Sequence, residues 1–170
     1  MSRHQAVVTR RVPQHILDQI AAVAEMRLWE GDLPIPNETL LEWVAGCDGL
    51  YCLLTDNVDE ILLDAAGSSL KVISNMAVGY DNIDIAACTE RGIPVGNTPG
   101  VLTDTTADLA LALLLAAARR VVEAAEFVKA GKWETWRPME LTGQDLYGST
   151  VGIVGLGRIG KAVARRLRGF

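Results

Sequence analysis

Apolar runs alternate with helix-like segments over about the first hundred residues of the chain. Runs with the length and composition of buried strands are Ala6–Thr9, Gly49–Leu54, Lys71–Ser74 and Ile93–Val95. Helices are predicted from apolar spacing between Pro13 and Ala24, at Leu40–Val44 after a capped loop at Pro34–Asn37, at Asp59–Ala66 before Gly67, and at Ile85–Arg91 before Gly92. This order predicts the α/β fold class, with a parallel sheet that helices cover on both faces.

The pattern changes after Pro99 and Gly100, which interrupt the chain. One long helix is predicted to follow and to end at Gly131, with three candidate caps at its start, Thr103, Asp104 and Thr105. The first half of this helix is apolar nearly all round, which predicts burial between two bodies. The helix would therefore suit a connection between two domains.

Composition narrows the class of protein. The chain has 170 residues, of which 49% are hydrophobic, and a formal net charge of −5, which argues against a nucleic-acid partner. The three basic residues Arg165, Arg166 and Arg168 are predicted to form a solvated helix face. The longest apolar run, residues 109–118, is too short to span a bilayer, so no membrane association is expected. Three cysteines without metal-ligand spacing indicate reduced thiols in a cytoplasmic protein and no metal site.

A glycine-rich turn lies near the end of the chain. Residues 151–160 read VGIVGLGRIG, with a strand predicted at Thr150–Val154 and a helix at Ala162–Leu167. Gly155 would permit the tight turn, Gly157 would let a pyrophosphate approach the backbone, and Gly160 would let the helix pack against the strand. The beginning of the helix then offers free N–H groups and a partial positive charge to the phosphates.

This turn predicts a bound dinucleotide, NAD or NADP. The residues expected to contact the cofactor are Gly155, Gly157, Arg158, Ile159 and Gly160. The partner of the cofactor ribose is expected about 20 residues further on, beyond Phe170, so the sequence leaves the choice between NAD and NADP open. One strand and one helix cannot cover both faces of a parallel sheet. We therefore expect the chain to be a fragment that contains only the first βα unit of a Rossmann domain.

The sequence resembles the D-isomer-specific 2-hydroxyacid dehydrogenases over nearly its whole length. The resemblance rests on residues 75–84 (NMAVGYDNID), 91–95 (RGIPV) with 97–99 (NTP), 101–108 (VLTDTTAD) and the glycine turn, in that order. The segment 101–108, with Gly131, Lys132 and Trp133 after it, is most similar to the glyoxylate/hydroxypyruvate reductase branch.

The resemblance implies two domains: a flavodoxin-like substrate domain over residues 1–100, and a linking helix with the truncated start of the NAD(P)-binding Rossmann domain over residues 101–170. It also implies that N–H groups of Ala77, Val78 and Gly79 hold the substrate carboxylate, which agrees with small residues that let an anion approach the main chain. By the same match, Leu102 borders the substrate pocket and Thr106 lies beside the nicotinamide. An ordinary strand-to-helix turn at residues 77–79 and a helix-cap hydroxyl at Thr106 are the structural alternatives.

The groups that would move a proton are missing from this chain. The resemblance implies a catalytic Arg, Glu and His, all downstream of the glycine turn, whereas the only histidines here are His4 and His15 near the beginning. No catalytic residue is therefore assigned. We expect the parent protein to reduce glyoxylate or hydroxypyruvate to the D-2-hydroxy acid with NAD(P)H, and the 170-residue chain alone to be inactive.

Other interpretations stay open at this point. Some relatives in the family act as dinucleotide-sensing, corepressor-like scaffolds, and others act on a different 2-keto acid, such as a phosphoglycerate-type substrate. The resemblance also implies a homodimer in the full-length parent. Trp133 and Trp136 are typical of an interface or pocket rim, although local packing explains them equally well. Asp81 and Asp84 are predicted to cap the helix that begins near Ile85.

Overall fold

A computed structural model describes residues 3–170, in one unit that reaches to Pro99 and a second unit, Gly100–Phe170. The first unit contains a five-stranded parallel sheet with the order β2-β1-β3-β4-β5. Its strands are β1 (His4–Val8), β2 (Ala24–Leu28), β3 (Gly49–Cys52), β4 (Val72–Asn75) and β5 (Val95–Gly96). This strand order is the flavodoxin-like one, so the predicted α/β class and flavodoxin-like architecture are confirmed.

Four helices connect the strands of the first unit, near the predicted positions. They are α1 (Gln14–Val23), α2 (Asn37–Val44), α3 (Glu60–Ala66) and α4 (Ile85–Glu90). The predicted cap at Asp84 is confirmed, because its carboxylate accepts a hydrogen bond from Ala87 N–H at 2.9 Å. Asp81 makes no such bond, and α2 begins after Pro36 without a side-chain cap, so those two predicted caps are wrong.

Strand β2 is absent from the sequence prediction, which extended the first helix to Ala24. The structure ends α1 at Val23, and Ala24 opens β2 in parallel register with His4. Within β2, Met26 and Leu28 are partly buried against the α1 side of the sheet, while Glu25 and Arg27 alternate with them. This two-residue alternation is the signal of a half-buried strand, and the adjoining helical pattern hid it.

The core of the first unit has two parts because neighbouring strand residues point to opposite faces of the sheet. On one face, Val7 packs in a large cluster with residues of α2, α3 and α4, including the fully buried Leu40 and Leu62. On the other face, Val8 packs with Val12 and with Leu17 of α1. Each such side chain contributes roughly 1.5–3 kcal/mol by leaving water.

All three cysteines lie buried in the larger part of the core as free thiols, as predicted. Burial is the main reason that the pKa of Cys52 rises to about 12 and that of Cys47 to about 11. The pKa of Cys88 is raised for the same reason. The three sulfur atoms therefore behave as small apolar groups in this fold.

The second unit contains α5 (Thr103–Ala118), α6 (Val121–Lys129) and α7 (Arg158–Leu167). The prediction of one long helix is wrong, because Arg120 adopts a left-handed conformation with φ of 54°. The carbonyl of Ala118, which the break leaves without a helical partner, accepts a hydrogen bond from Gln144 N–H at 2.7 Å. The predicted caps are also wrong, since α5 begins after Leu102 without a side-chain cap.

Three further predictions for the second unit fail. Ala107 is the one buried residue of α5, while Leu109 is 59% and Leu113 61% exposed, so the expected burial of this helix is not observed in the described chain. No strand forms at residues 150–154, because no second strand pairs with that segment within residues 3–170. Arg166 is not simply solvated, since it pairs with Asp104 and Asp108 of α5.

Among residues 3–170, no helix is both long enough and apolar enough to cross a membrane.

A charged cluster lies at the amino ends of three neighbouring strands. The Asp48 carboxylate accepts hydrogen bonds from Lys71 Nζ at 2.6 Å and from Gln5 N–H at 2.9 Å, and His4 Nδ1 lies 3.3 Å away. The hydrogen bond from Lys71 is the main reason that the pKa of Asp48 lies well below its usual range, followed by the bond from Gln5. This carboxylate thus links the starts of β1, β3 and β4.

The lowered pKa predicts how stability depends on pH. Asp48→Asn should lower the melting temperature at pH 7, because the ionised carboxylate favours the folded state. The folded-state pKa lies below the unfolded value of about 4, so this stabilisation is complete above pH 4 and is lost as the pH falls further. In thermal melts of both proteins, the difference in melting temperature should therefore stay constant from pH 7 to about pH 4 and shrink as the pH falls from 4 to 2. A difference that does not change with pH would contradict this role.

Candidate functional site

The carboxyl ends of β1, β3 and β4 lie side by side and carry three loops. These loops contain Thr9 and Arg10 after β1, residues 53–56 after β3, and residues 76–82 after β4. In open α/β sheets, ligands bind at the carboxyl edge, where the strand order reverses direction. Here the order reverses between β1 and β3. We refer to this region as the carboxyl-edge site.

The loop after β4 is held by hydrogen bonds that its carbonyl groups accept. Ala77 O accepts from Thr98 N–H at 2.8 Å, Val78 O accepts from Asn97 Nδ2 at 2.8 Å, and Gly79 O accepts from Asn75 Nδ2 at 3.1 Å. With three successive carbonyls fixed, the peptide planes between them have little freedom to rotate. The N–H groups of this loop are therefore set in position before any ligand binds.

Two of the three predicted carboxylate-binding residues have N–H groups free for a ligand. Ala77 N–H already donates to Asn75 O at 2.8 Å. No protein acceptor meets the N–H groups of Val78 and Gly79 within the part of the chain that the structure describes. Consecutive free amides in a tight loop form a concavity that suits an anion.

A buried polar network supports this loop from below. Asn75 is 1% exposed and donates to Asn82 Oδ1 at 3.1 Å as well as to Gly79. Asn82 in turn donates to the carbonyls of Leu53 and Asp56 at 3.1 and 2.9 Å. The buried carboxylate of Asp56 accepts from Thr9 Oγ1 and from Leu53 N–H. Together these bonds join the three loops of the carboxyl-edge site.

No role for these polar side chains could be predicted from the sequence. Asn75, Asn82 and Asn97 all lie in segments that carry the family resemblance, but nothing in their spacing shows which backbone groups they bond. A buried asparagine at the end of a predicted strand is the one available signal, because a buried amide has to find hydrogen-bond partners.

In the second unit, Leu102 and Thr106 lie at the beginning of α5. Leu102 is 53% exposed, which leaves its side chain free to border a ligand. Thr106 lies in the first turn, where its N–H donates to Leu102 O at 2.9 Å. No side-chain cap is formed at this end of α5, so the helix-cap alternative for Thr106 is not observed.

Gly155 and Gly160 have the backbone features predicted for them in the glycine turn. Gly155 has a φ of 92°, which a residue with a side chain rarely adopts. A Cβ on Gly160 would lie 2.1 Å from Gly155 O, so only glycine permits the close packing of α7 against the turn. A Cβ on Gly157 would meet nothing within 4 Å, which leaves open space where a phosphate would approach.

The beginning of α7 can hold an anionic group. The helix begins at Arg158, four residues earlier than predicted, and its first backbone bond runs from Lys161 N–H to Gly157 O. The N–H groups of Arg158 and Ile159 precede that bond and have no side-chain cap, so they face the open space beside Gly157. These residues fit the pyrophosphate of a dinucleotide.

Within the described residues, no acid–base pair is found in the carboxyl-edge site. His4 lies at the opposite end of β1 beside Asp48, and His15 is exposed on α1. No group of three His, Cys, Asp or Glu side chains within residues 3–170 is placed to hold a metal ion.

Comparison with known proteins identifies the family. The family model "D-isomer specific 2-hydroxyacid dehydrogenase, catalytic domain" matches residues 6–164. The chain is 54% identical to the human glyoxylate reductase/hydroxypyruvate reductase, over 96% of the chain and 50% of that protein. It is 53% identical to the glyoxylate reductase of Korarchaeum cryptofilum, over 96% of the chain and 49% of that protein. The chain thus spans about half the length of the curated relatives it matches.

Solved structures agree with this result. A protein from Thermus thermophilus superposes with a TM-score of 0.90 at 47% identity, covering 97% of this chain and 53% of that one. The NADPH-dependent glyoxylate/hydroxypyruvate reductase of Sinorhizobium meliloti, in complex with NADP and malonate, has a TM-score of 0.80 at 34% identity, covering 99% and 51%. By motif order, sheet topology and sequence identity, the chain belongs to the D-isomer-specific 2-hydroxyacid dehydrogenase family, in its glyoxylate reductase branch.

Proposed function

We propose that this chain provides the substrate-carboxylate loop and the start of the dinucleotide site of an NAD(P)H-dependent reductase. Its substrates are glyoxylate and hydroxypyruvate, and its products are the corresponding D-2-hydroxy acids. The observation that carries the proposal is the glycine turn, in which Gly155 has left-handed backbone and Gly160 leaves no space for a side chain. The names of the human and archaeal relatives support the choice of substrates.

The two units have different proposed roles. Residues 1–100 form the substrate domain, and residues 101–170 form the linking helical segment and the incomplete start of the NAD(P)-binding domain. The division of the structure between Pro99 and Gly100 supports this assignment. So does the position of the carboxyl-edge site in the first unit and of the glycine turn in the second.

Backbone amides provide the proposed carboxylate contact. The free N–H groups of Val78 and Gly79 bind the substrate carboxylate. Leu102 borders the pocket with an apolar surface, and Thr106 lies beside the nicotinamide. Because the carbonyls of residues 77–79 are already bonded, little reorganisation accompanies binding, which favours affinity.

The cofactor, when bound, supplies the hydride that reduces the keto group. The part of this chain in that step is to hold the pyrophosphate, with Gly155, Gly157 and Gly160 shaping the turn and the N–H groups of Arg158 and Ile159 facing the phosphates. Either NAD or NADP fits this turn. The Sinorhizobium meliloti relative is described as NADPH-dependent.

The proton donor belongs to residues outside this chain in our proposal. The family resemblance implies a catalytic Arg, Glu and His, and neither His4 nor His15 is placed to act on a substrate at the carboxyl edge. We also propose a homodimer, supported by the exposure of Trp133 and Trp136 at 51% and 85%. Their rings contact each other edge to face, with centroids 6.1 Å apart. Three free thiols support a reducing, cytoplasmic location.

A pair of assays tests the proposed activity. The protein expressed from its complete reading frame should oxidise NADH or NADPH when either glyoxylate or hydroxypyruvate is added. Residues 1–170 alone should give the background rate, because the proton donor is missing. Cofactor oxidation is followed by absorbance with both substrates. Turnover by residues 1–170, or binding of dinucleotide by the complete protein without reduction of any 2-keto acid, would refute the proposal.

Substitutions in the glycine turn test the pyrophosphate contact. Gly157→Ala should weaken dinucleotide binding about tenfold or more without lowering the melting temperature, because its Cβ meets only the space for the phosphate. Gly160→Ala should lower both the dinucleotide affinity and the melting temperature, because its Cβ collides with Gly155 O. Calorimetry and thermal melts on the complete protein separate the two patterns. Unchanged binding in Gly157→Ala would place the pyrophosphate elsewhere.

A substitution at Asn97 tests the proposed role of residues 76–82, which we call the carboxylate loop. Asn97→Ala releases the carbonyl of Val78, so the KM for 2-keto acids should rise about three- to tenfold, as expected for the loss of one hydrogen bond. The kcat should change much less, because no reacting atom is altered. Asn57→Ala removes an exposed hydrogen bond to Asp59 instead and serves as the control, with unchanged kinetics expected. Equal kinetics for Asn97→Ala and the control would exclude this loop as the carboxylate site.

A further inference from the structure

Arg10 is a cation without an acidic partner at the carboxyl-edge site. It follows Thr9 directly, at the end of β1, and is partly buried. No carboxylate lies within ion-pairing distance of Arg10 in the described residues, whereas the adjacent Arg11 pairs with Glu30 at 2.8 Å. Two neighbouring arginines thus have opposite environments: one is neutralised by the fold and the other is not.

The contacts of Arg10 fix where its charge lies. Its Nη2 donates to Thr55 Oγ1 at 3.4 Å, in the turn that follows β3. Its Nε is covered by neighbouring atoms and meets no acceptor within residues 3–170. The stem is therefore held by packing, and the terminal nitrogens keep their capacity to donate. A partly buried guanidinium with so little hydrogen bonding is unusual unless a ligand completes it.

The guanidinium contacts a turn that hydrogen bonds tie to the carboxylate loop. Thr55 belongs to the turn at residues 53–56, and Asn82 ties that turn to the loop that contains Val78 and Gly79. Neighbouring strands are about 4.8 Å apart, so a group above the end of β3 lies roughly one strand spacing from the loop after β4. An anion on the free amides and a second polar group near Arg10 could therefore belong to one small molecule.

We propose that Arg10 is a specificity residue that recognises a hydrogen-bond acceptor on carbon 3 of the substrate. The inference rests on the proposed function, in which the amides of Val78 and Gly79 hold the carboxylate on carbon 1. Hydroxypyruvate carries a hydroxyl group on carbon 3, and glyoxylate has no carbon 3 at all. A dicarboxylate such as malonate presents a charged acceptor there, which the planar fork of arginine binds well. Leu54 is exposed and adjoins Thr55, the residue that the Arg10 guanidinium contacts, so it adds an apolar surface there.

Substrate discrimination tests the proposal in the complete protein. Arg10→Met should raise the KM for hydroxypyruvate about tenfold and leave the KM for glyoxylate within about twofold, with little change in kcat for either. Arg10→Lys should recover part of the loss, because it restores the charge without the fork. Arg11→Met, which removes the neighbouring arginine, should match the unmodified protein. An equal rise for both substrates, or no rise for either, would overturn the inference.

A binding measurement separates this inference from the proposed function. Malonate and acetate are titrated into the unmodified protein and into the Arg10→Met and Arg10→Lys variants by calorimetry. Loss of malonate affinity by about tenfold in Arg10→Met, with acetate affinity unchanged, supports the site even if neither keto acid is reduced. Unchanged malonate affinity overturns it, whatever the turnover. Should Arg10→Met fail to fold, the same comparison with Arg10→Lys decides, with a smaller selective loss of malonate expected.

Discussion

The side-chain amide of Asn75 is the contact on which the carboxyl edge of the sheet depends. β4 ends at this residue. The N–H of Met76 still donates to Cys52 O of β3, and the backbone groups beyond it need other partners. Asn75 donates to Gly79 O and to Asn82, and Asn82 extends the network to the turn after β3. A buried polar atom without a partner costs roughly 1–3 kcal/mol, so these bonds jointly exclude other loop conformations. The bonded carbonyls hold the loop in a conformation in which the N–H groups of Val78 and Gly79 meet no protein acceptor within residues 3–170.

Much of the first unit could be predicted from the periodicity of apolar residues and from the residues that mark helix ends. Asp59, Gly67, Asp84 and Gly92 mark helix ends by local backbone chemistry, which acts within four residues and can be read directly. Strand β2 was hidden because a helix passes into a strand at Val23 without a glycine or proline between them. The break at Arg120 was hidden because the hydrogen bond that accompanies it comes from Gln144, which is distant in sequence. Local signals are visible in one sequence, and long-range hydrogen bonds are not.

In the candidate site, too, local features could be predicted from the sequence and long-range contacts could not. The glycine turn could be predicted residue by residue, since left-handed backbone at Gly155 and close packing at Gly160 are both local requirements that exclude side chains. The free amides of Val78 and Gly79 were anticipated from the family resemblance. The occupied N–H of Ala77 and the bonds made by Asn97 were not, because they depend on which loops meet in three dimensions. Arg10 likewise differs from Arg11 only through its surroundings.

The charged cluster around Asp48 lies at the opposite end of the strands from the ligand-binding loops. It fixes the relative alignment of β1, β3 and β4 where they begin, through the backbone as well as the carboxylate of Asp48. At the amino ends, that alignment does not depend on the loops where these strands finish. Descendants of such a protein can exchange loop residues and acquire new preferences among small acids, while the scaffold beneath them stays the same.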